Sequence, residues 1–167
     1  MRTSETGIAF VRLWEGYRSK AYRCSAGVWT IGYGHTQGVQ KGDTVDKDTA
    51  DIMLRKDILH FEPWLEHLIK VPLNQNQWDA LVSFTFNVGT HNLERSTLLR
   101  KLNAKDYTSA SLEFPKWCKA KVNGKLTVLQ GLLRRRKAEQ KLFREPDGTL
   151  ALPDRNLRKA SRLYHPR

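Results

Sequence analysis

The chain has 167 residues, 40% of them hydrophobic, and carries 29 Lys and Arg against 17 Asp and Glu for a net charge of +12. That length suits one folding unit with a real core and room for a cleft, and no apolar run reaches the roughly 18 residues of a membrane span. Residues 1–7 lack the charged, apolar and small-residue regions of a signal peptide, and two cysteines are too few for a disulfide scaffold, so Cys24 and Cys118 are read as free thiols.

Ile8, Val11 and Trp14, with Phe10, Leu13 and Tyr17 alongside, recur at three- and four-residue steps and predict a helix over about 4–14 with one buried face. Gly16 suits its C-terminus and leaves Glu15 where the helix runs out. Val28, Trp29, Thr30, Ile31 and Tyr33 are β-branched or aromatic, bracketed by Gly27, Gly32 and Gly34, and predict a hairpin. A carboxylate at such a junction is expected to be half-buried. Desolvation then raises its pKa, so that it stays protonated near neutral pH and serves as a general acid. Taken alone, Glu15 fits a solvated helix end better.

A longer helix is predicted over 46–68, with Ala50, Leu54, Ile58, Phe61, Leu65 and Leu68 as its apolar stripe and Asp57 inside that stripe. A carboxylate on a packed face is costly unless paired. His35 has no second ligand nearby at a zinc-binding spacing, so neither a metal site nor a cofactor is expected. Trp78, Leu81, Val82, Phe84, Phe86 and Val88 form a segment apolar on most sides, with Asn74 and Asn76 as capping candidates and Gly89 as a stop. Alternation of residues 82, 84, 86 and 88 also suits a strand, and periodicity leaves the two open. Short helices are predicted near 96–102, 106–118 and 132–143, with a turn at Asn123-Gly124. In the tail, Leu157, Ala160 and Tyr164 with Arg155, Arg158, Lys159 and Arg162 allow a short cationic helix able to touch membrane or lipopolysaccharide. An exposed, frayed terminus is the favoured reading.

Charge is uneven. Between Lys116 and Lys141 stand nine Lys or Arg against Glu139 alone, a local net of +8 that reads as one basic surface. Part of such a run is ordinarily a solvated face, but it also concentrates a protein at anionic polymers. A sequence pI near 10 invites a nucleic-acid-binding module. No zinc, helix-turn-helix or RNA-binding signature supports one, and no nucleic-acid partner is expected.

The spacing Glu15, eight residues, Cys24, five residues, Thr30, followed by Ile31-Gly32-Tyr33-Gly34-His35-Thr36, resembles the catalytic region of the phage T4-type lysozymes, endolysins of glycoside hydrolase family 24 that cut peptidoglycan. Further blocks match in order: residues 77–89, Ser96-Thr97-Leu98-Leu99, Trp117, and Gly131-Leu132-Leu133-Arg134-Arg135-Arg136 with Glu139. The resemblance covers about residues 4–143. It implies a mainly helical α+β, lysozyme-like fold: a small N-terminal lobe with a hairpin or three-stranded sheet, a long connecting helix and a helical C-terminal lobe. The expected layout is one domain over 1–167, with lobes at about 1–60 and 70–145, helix 46–68 between them and a basic tail, 146–167, beyond the match. The resemblance also decides for helix in the segment around Phe84.

Most of that family carries Asp where this chain has Cys24, and the resemblance suggests that a subset tolerates Cys there. The implied catalytic set is Glu15, Cys24 and Thr30, acting on the β-1,4 bond between N-acetylmuramic acid and N-acetylglucosamine. An inverting glycosidase needs one group to protonate the leaving oxygen and another to activate water, with roughly 6.5–9.5 Å between them. Glu15 takes the first task, and Thr30 holds the water through its hydroxyl. Cys24 either orients and partly deprotonates that water or attacks the sugar directly, and the first role is favoured. An ionised Glu15 nearby is expected to make the thiolate rare.

The resemblance further implies a structural His35–Asp57 bridge, Asn87 facing the cleft, and Arg135 or Arg136 entering the cleft beside Glu15. It implies peptidoglycan glycan strands as substrate and a holin-type pore as the route from host cytoplasm to periplasm for a soluble monomer, with the basic surface touching envelope phosphates. The competing readings are a Cys24/His35 wall peptidase and a transglycosylase that cuts the same bond without water, the latter disfavoured by Thr30.

Overall fold

The computed structural model describes residues 1–24 and 26–147; the expected tail helix lies outside the described residues. Ser4 starts the first helix, its hydroxyl accepting from the Gly7 N–H at 3.0 Å, and α1 runs Glu5–Glu15 until Gly16 at φ 69° ends it. Position 7 admits no side chain, because a Cβ there would lie 2.5 Å from Asp79 Cγ. Asp79 in turn accepts from the Ser4 N–H at 3.1 Å, from the Ser4 hydroxyl, and from Gln75 Nε2 at 2.9 Å. Burial pushes its carboxyl above the usual range.

Strands β1 (Arg18–Arg23) and β2 (Trp29–Gly32) pair antiparallel, with Tyr22 opposite Thr30 and an irregular register between Arg18 and Tyr22. The option of a third strand comes down to a single bridge, Lys20 to Thr44. Helix α2 runs Lys47–Leu68, capped by Asp46, which accepts from the Thr49 N–H at 2.8 Å. It buries Ala50, Leu54, Ile58 and Leu65, together with Glu62, which accepts from the Thr3 N–H at 2.7 Å and from Arg2 Nη1 at 2.8 Å.

Helix α3 (Gln75–Val88) is the centre of the molecule, buried without a break from Trp78 to Asn87. The segment is therefore a helix and not a strand. Asn74 and Gln77 close its start in a reciprocal pair of hydrogen bonds. Asn76, the other capping candidate, sits inside the helix and donates to the Pro146 carbonyl at 2.7 Å.

Beyond α3 come α4 (Thr90–Glu94), α5 (Thr97–Asn103, capped by Ser96) and α6 (Tyr107–Ser111). The expected helix over 106–118 stops early and continues only as a 3₁₀ turn over Phe114–Lys116. Pro115 has no N–H for the carbonyl four residues back, which breaks the ladder. The Asn123-Gly124 turn belongs to a second antiparallel hairpin that the sequence reading did not contain, β3 (Lys119–Val122) with β4 (Lys125–Val128). Helix α7 (Gln130–Arg144) closes the described chain and packs on α3 over its most extensive helix contact. Phe84, Phe114, Trp117 and Phe143 interlock edge-on or tilted between them.

Candidate active site

Glu15 is the last residue of α1, and three residues on the chain enters β1, so this carboxylate is fixed to the root of the first hairpin. It is 3% exposed, drier than the half-buried state expected of it. The reason is its partner: Arg135 Nη1 donates to Glu15 Oε1 at 2.8 Å. Such a charge leaves water only when paired.

Arg135 is held from three sides. Its Nε donates to Glu139 Oε1 at 3.0 Å and its Nη2 to the Ser83 carbonyl at 3.0 Å, while Nη1 reaches Glu15. Glu139, with no exposed surface, also accepts from the Ser83 hydroxyl at 2.8 Å and from Arg136 Nη2 at 3.0 Å. Arg136 Nε lies 2.9 Å from Glu139 Oε2, an ion-pair contact not aligned as a hydrogen bond. Arg136 Nη2 donates to Asn87 Oδ1 at 3.1 Å, and the guanidinium lies 4.9 Å from the centre of the Phe84 ring.

Two carboxylates and two guanidiniums thus form a closed, charge-balanced knot. Burial lowers the pKa of Arg136 to about 10, against the pull of Glu139 and with the push of Arg135. For Arg135 burial acts the same way, but Glu15 and Glu139 together outweigh it and raise the value.

The charge run of α7 is therefore not one surface: Arg135 and Arg136 point inward, at 4% and 0% exposure. Glu139 and Ser83 were not singled out from sequence as site residues. The available signal was the spacing of Glu139, three and four residues after the two arginines, which puts all three on one helix face.

Cys24 and Thr30 come together beside the turn of the first hairpin. The Cys24 N–H donates to the Val28 carbonyl at 3.0 Å, and the Thr30 hydroxyl donates to the same carbonyl at 3.1 Å. Burial alone would push the Cys24 thiol up, but the backbone N–H groups of Val28 and Ala26 and the Thr30 hydroxyl favour the thiolate and hold it below the ordinary thiol value. Thr30 is buried at 3% exposure and Cys24 is intermediate.

His35 Nδ1 lies 2.9 Å and 3.0 Å from the two Asp57 oxygens, and His35 Nε2 lies 3.0 Å from the Gln37 carbonyl. No hydrogen bond among the described residues joins His35 to Cys24, which leaves a Cys24/His35 pair without geometric support. His35, Asp57 and Asn87 line a groove of about 680 Å³ together with Lys56, His60, Phe61 and Phe86. Glu15, Cys24 and Thr30 are not among its lining residues; Asn87 and its bond to Arg136 connect the groove wall to the buried knot. Among the described residues no group of three His, Cys, Asp or Glu could hold a metal ion.

The phage lysozyme family model matches residues 12–139, a span that contains Glu15, Cys24, Thr30, Asn87, Arg135 and Glu139. The chain is 52% identical to an endolysin of Acyrthosiphon pisum secondary endosymbiont phage 1, over 86% of this chain and 98% of that one. It is 41% identical to the endolysin of Salmonella phage P22, over 86% and 98%. Among solved structures, the muramidase domain of SpmX from Asticaccaulis excentricus superposes with a TM-score of 0.84 at 39% identity, covering 87% of this chain and 99% of that one. The chain belongs to the phage lysozyme family and is a glycoside hydrolase.

Proposed function

We propose that this phage lysozyme cleaves the β-1,4 bond between N-acetylmuramic acid and N-acetylglucosamine with inversion, Glu15 protonating the departing oxygen and Thr30 with Cys24 holding the attacking water. The observation that carries this reading is the buried Glu15–Arg135 pair. Substrate entering the cleft draws Arg135 towards its own polar groups. Glu15 is then left in a dry site without its cation, where the protonated acid is favoured. As the glycosidic bond lengthens, the proton passes from Glu15 to the leaving oxygen and the water oxygen bonds to the anomeric carbon. The proton shed by that water goes to the Cys24 thiolate, which the surrounding N–H groups keep accessible. Asn87, on the groove wall, contacts the glycan, and the His35–Asp57 bridge fixes that wall to α2.

The chain is an endolysin, and its substrate is the peptidoglycan of the host wall. We place its action in the periplasm after a separate holin-type pore opens the membrane; the support is its similarity to phage endolysins. The test is lysis of permeabilised Gram-negative cells, followed by turbidity, for the parent and for Glu15→Gln. The expected loss is about 10²- to 10⁴-fold, with new reducing ends and inverted anomeric configuration in the parent's products. Equal lysis by Glu15→Gln refutes the assignment of the acid. A retained configuration, or a sugar trapped on Cys24, replaces inversion by a covalent route, and anhydro ends would mark a transglycosylase.

A further inference from the structure

The second hairpin is almost wholly outside the protein. Of residues 119–128 eight are exposed, and only Ala120 and Thr127, which face each other across the strands, are partly covered. Two short strands alone are marginal in water. This pair is closed at its base by the Leu129 N–H donating to the Cys118 carbonyl at 2.8 Å and at its tip by Asn123 and Gly124, at φ 49° and 79°. Side chains alternate across a strand, so the face opposite Ala120 and Thr127 carries Lys119 against Val128 and Lys121 against Leu126. Leu126 is 60% exposed and Val128 42%, whereas Val122, 38% exposed, lies across from Lys125 on the face of Ala120 and Thr127. Each aliphatic side chain on the free face therefore stands directly across from a lysine.

Helix α7 follows at once, and its solvent stripe is Arg134, Lys137, Lys141 and Arg144, at steps of three and four residues. None of these four, nor Lys119, Lys121 or Lys125, stands in an ion pair among the described residues. Two terms need a common partner: unpaired cations and bare aliphatic side chains. Wall glycan and stem-peptide carboxylates answer the cations but offer no apolar phase for Leu126 and Val128. An anionic bilayer surface offers both, since lysine stems lie along the aliphatic groups while their ammonium heads rise to the phosphates.

We infer that the β3–β4 hairpin and the outward stripe of α7 form a docking surface for anionic phospholipid bilayers, the hairpin entering the headgroup layer and the helix cations lying on it. The proposal is independent of the hydrolytic mechanism. It is tested by sedimenting the full chain with vesicles of equal parts phosphatidylglycerol and phosphatidylethanolamine, and with vesicles of phosphatidylcholine alone.

The parent should partition onto the first and not the second, and Glu15→Gln should bind as the parent does. The paired change Leu126→Ser with Val128→Ser should lower partition about tenfold, and Lys121→Gln or Lys137→Gln about fivefold each. The altered side chains are exposed, so the melting temperature of each variant should match the parent's and serves as the folding control. Absence of binding to the anionic vesicles overturns the proposal. So does binding that the Leu126/Val128 pair leaves unchanged, which would assign it to the tail or to charge alone. Equal retention of the parent and that pair on a soluble duplex oligonucleotide, joined to equal vesicle binding, would mark a general polycation and overturn it as well.

Discussion

Arg134 and Arg135 are adjacent on α7, one exposed and the other 4% exposed, and the same division runs along the helix. The outward face holds Arg134, Lys137, Lys141 and Arg144 without ion-pair partners among the described residues; the inward face holds Arg135, Arg136 and Glu139 in a closed network with Glu15. In water a cation keeps its hydration and its geometry matters little, whereas in the interior its partner is a condition of its being there. One helix therefore carries a long-range field on one side and a short-range, directional clamp on the other. Residue type does not separate the two; position on the helix does.

Changes to the clamp should be large. Glu139→Gln leaves two buried guanidiniums facing Glu15 alone, and the expected destabilisation is about 3–5 kcal/mol, read as a drop in melting temperature. Lysis should fall with it, because Arg135 loses the contact that fixes its direction. A variant melting with the parent would mean that the clamp contributes nothing. Next in size is Cys24→Ala, which on our reading lowers turnover and removes its dependence on thiol ionisation. The parent's kcat/KM should follow a bell-shaped pH profile, since it needs a protonated Glu15 and a Cys24 thiolate together, and the limb set by the thiol, which hydrogen bonds hold below the ordinary thiol range, should vanish in Cys24→Ala. Undiminished turnover in Cys24→Ala would reduce the residue to a small side chain in a hairpin.

Smaller again is Asp57→Asn. Its bridge to His35 is partly exposed, so the change should cost about 1 kcal/mol and affect stability more than activity; an unchanged melting curve counts against the bridge. Smallest is Lys141→Gln on the outward face, which should leave both the melting temperature and the hydrolysis of purified wall unaltered. A clear loss in either would erase the contrast between the two faces.

The parts of the fold written in apolar periodicity were legible from sequence. Helices α1 and α2 announce themselves by three- and four-residue spacing, although their caps, Ser4 and Asp46, were not read as such. Cys24 and Thr30 were found through motif spacing and Asp57 through its awkward place in an apolar stripe. The second hairpin was missed because its flanks alternate lysine with small or aliphatic residues, which reads as a solvated turn, although Asn123-Gly124 is itself a hairpin signal. Helix α4 is five residues long with no side-chain cap, too short for any period to register. Glu139 was hidden because a lone acid in a basic run looks like relief of charge at a surface. Only the packing of α7 on α3 turns it inward.

Cys24 carries one further consequence. A carboxylate in its place would be inert to electrophiles, whereas a partly exposed thiol that hydrogen bonds hold below its ordinary pKa is open to alkylation, and Cys118, the other thiol of the chain, is buried. A single equivalent of a mild alkylating reagent should therefore label one position, so that working enzyme in a preparation can be counted molecule by molecule, and an oxidising environment would silence it where an aspartate enzyme would continue.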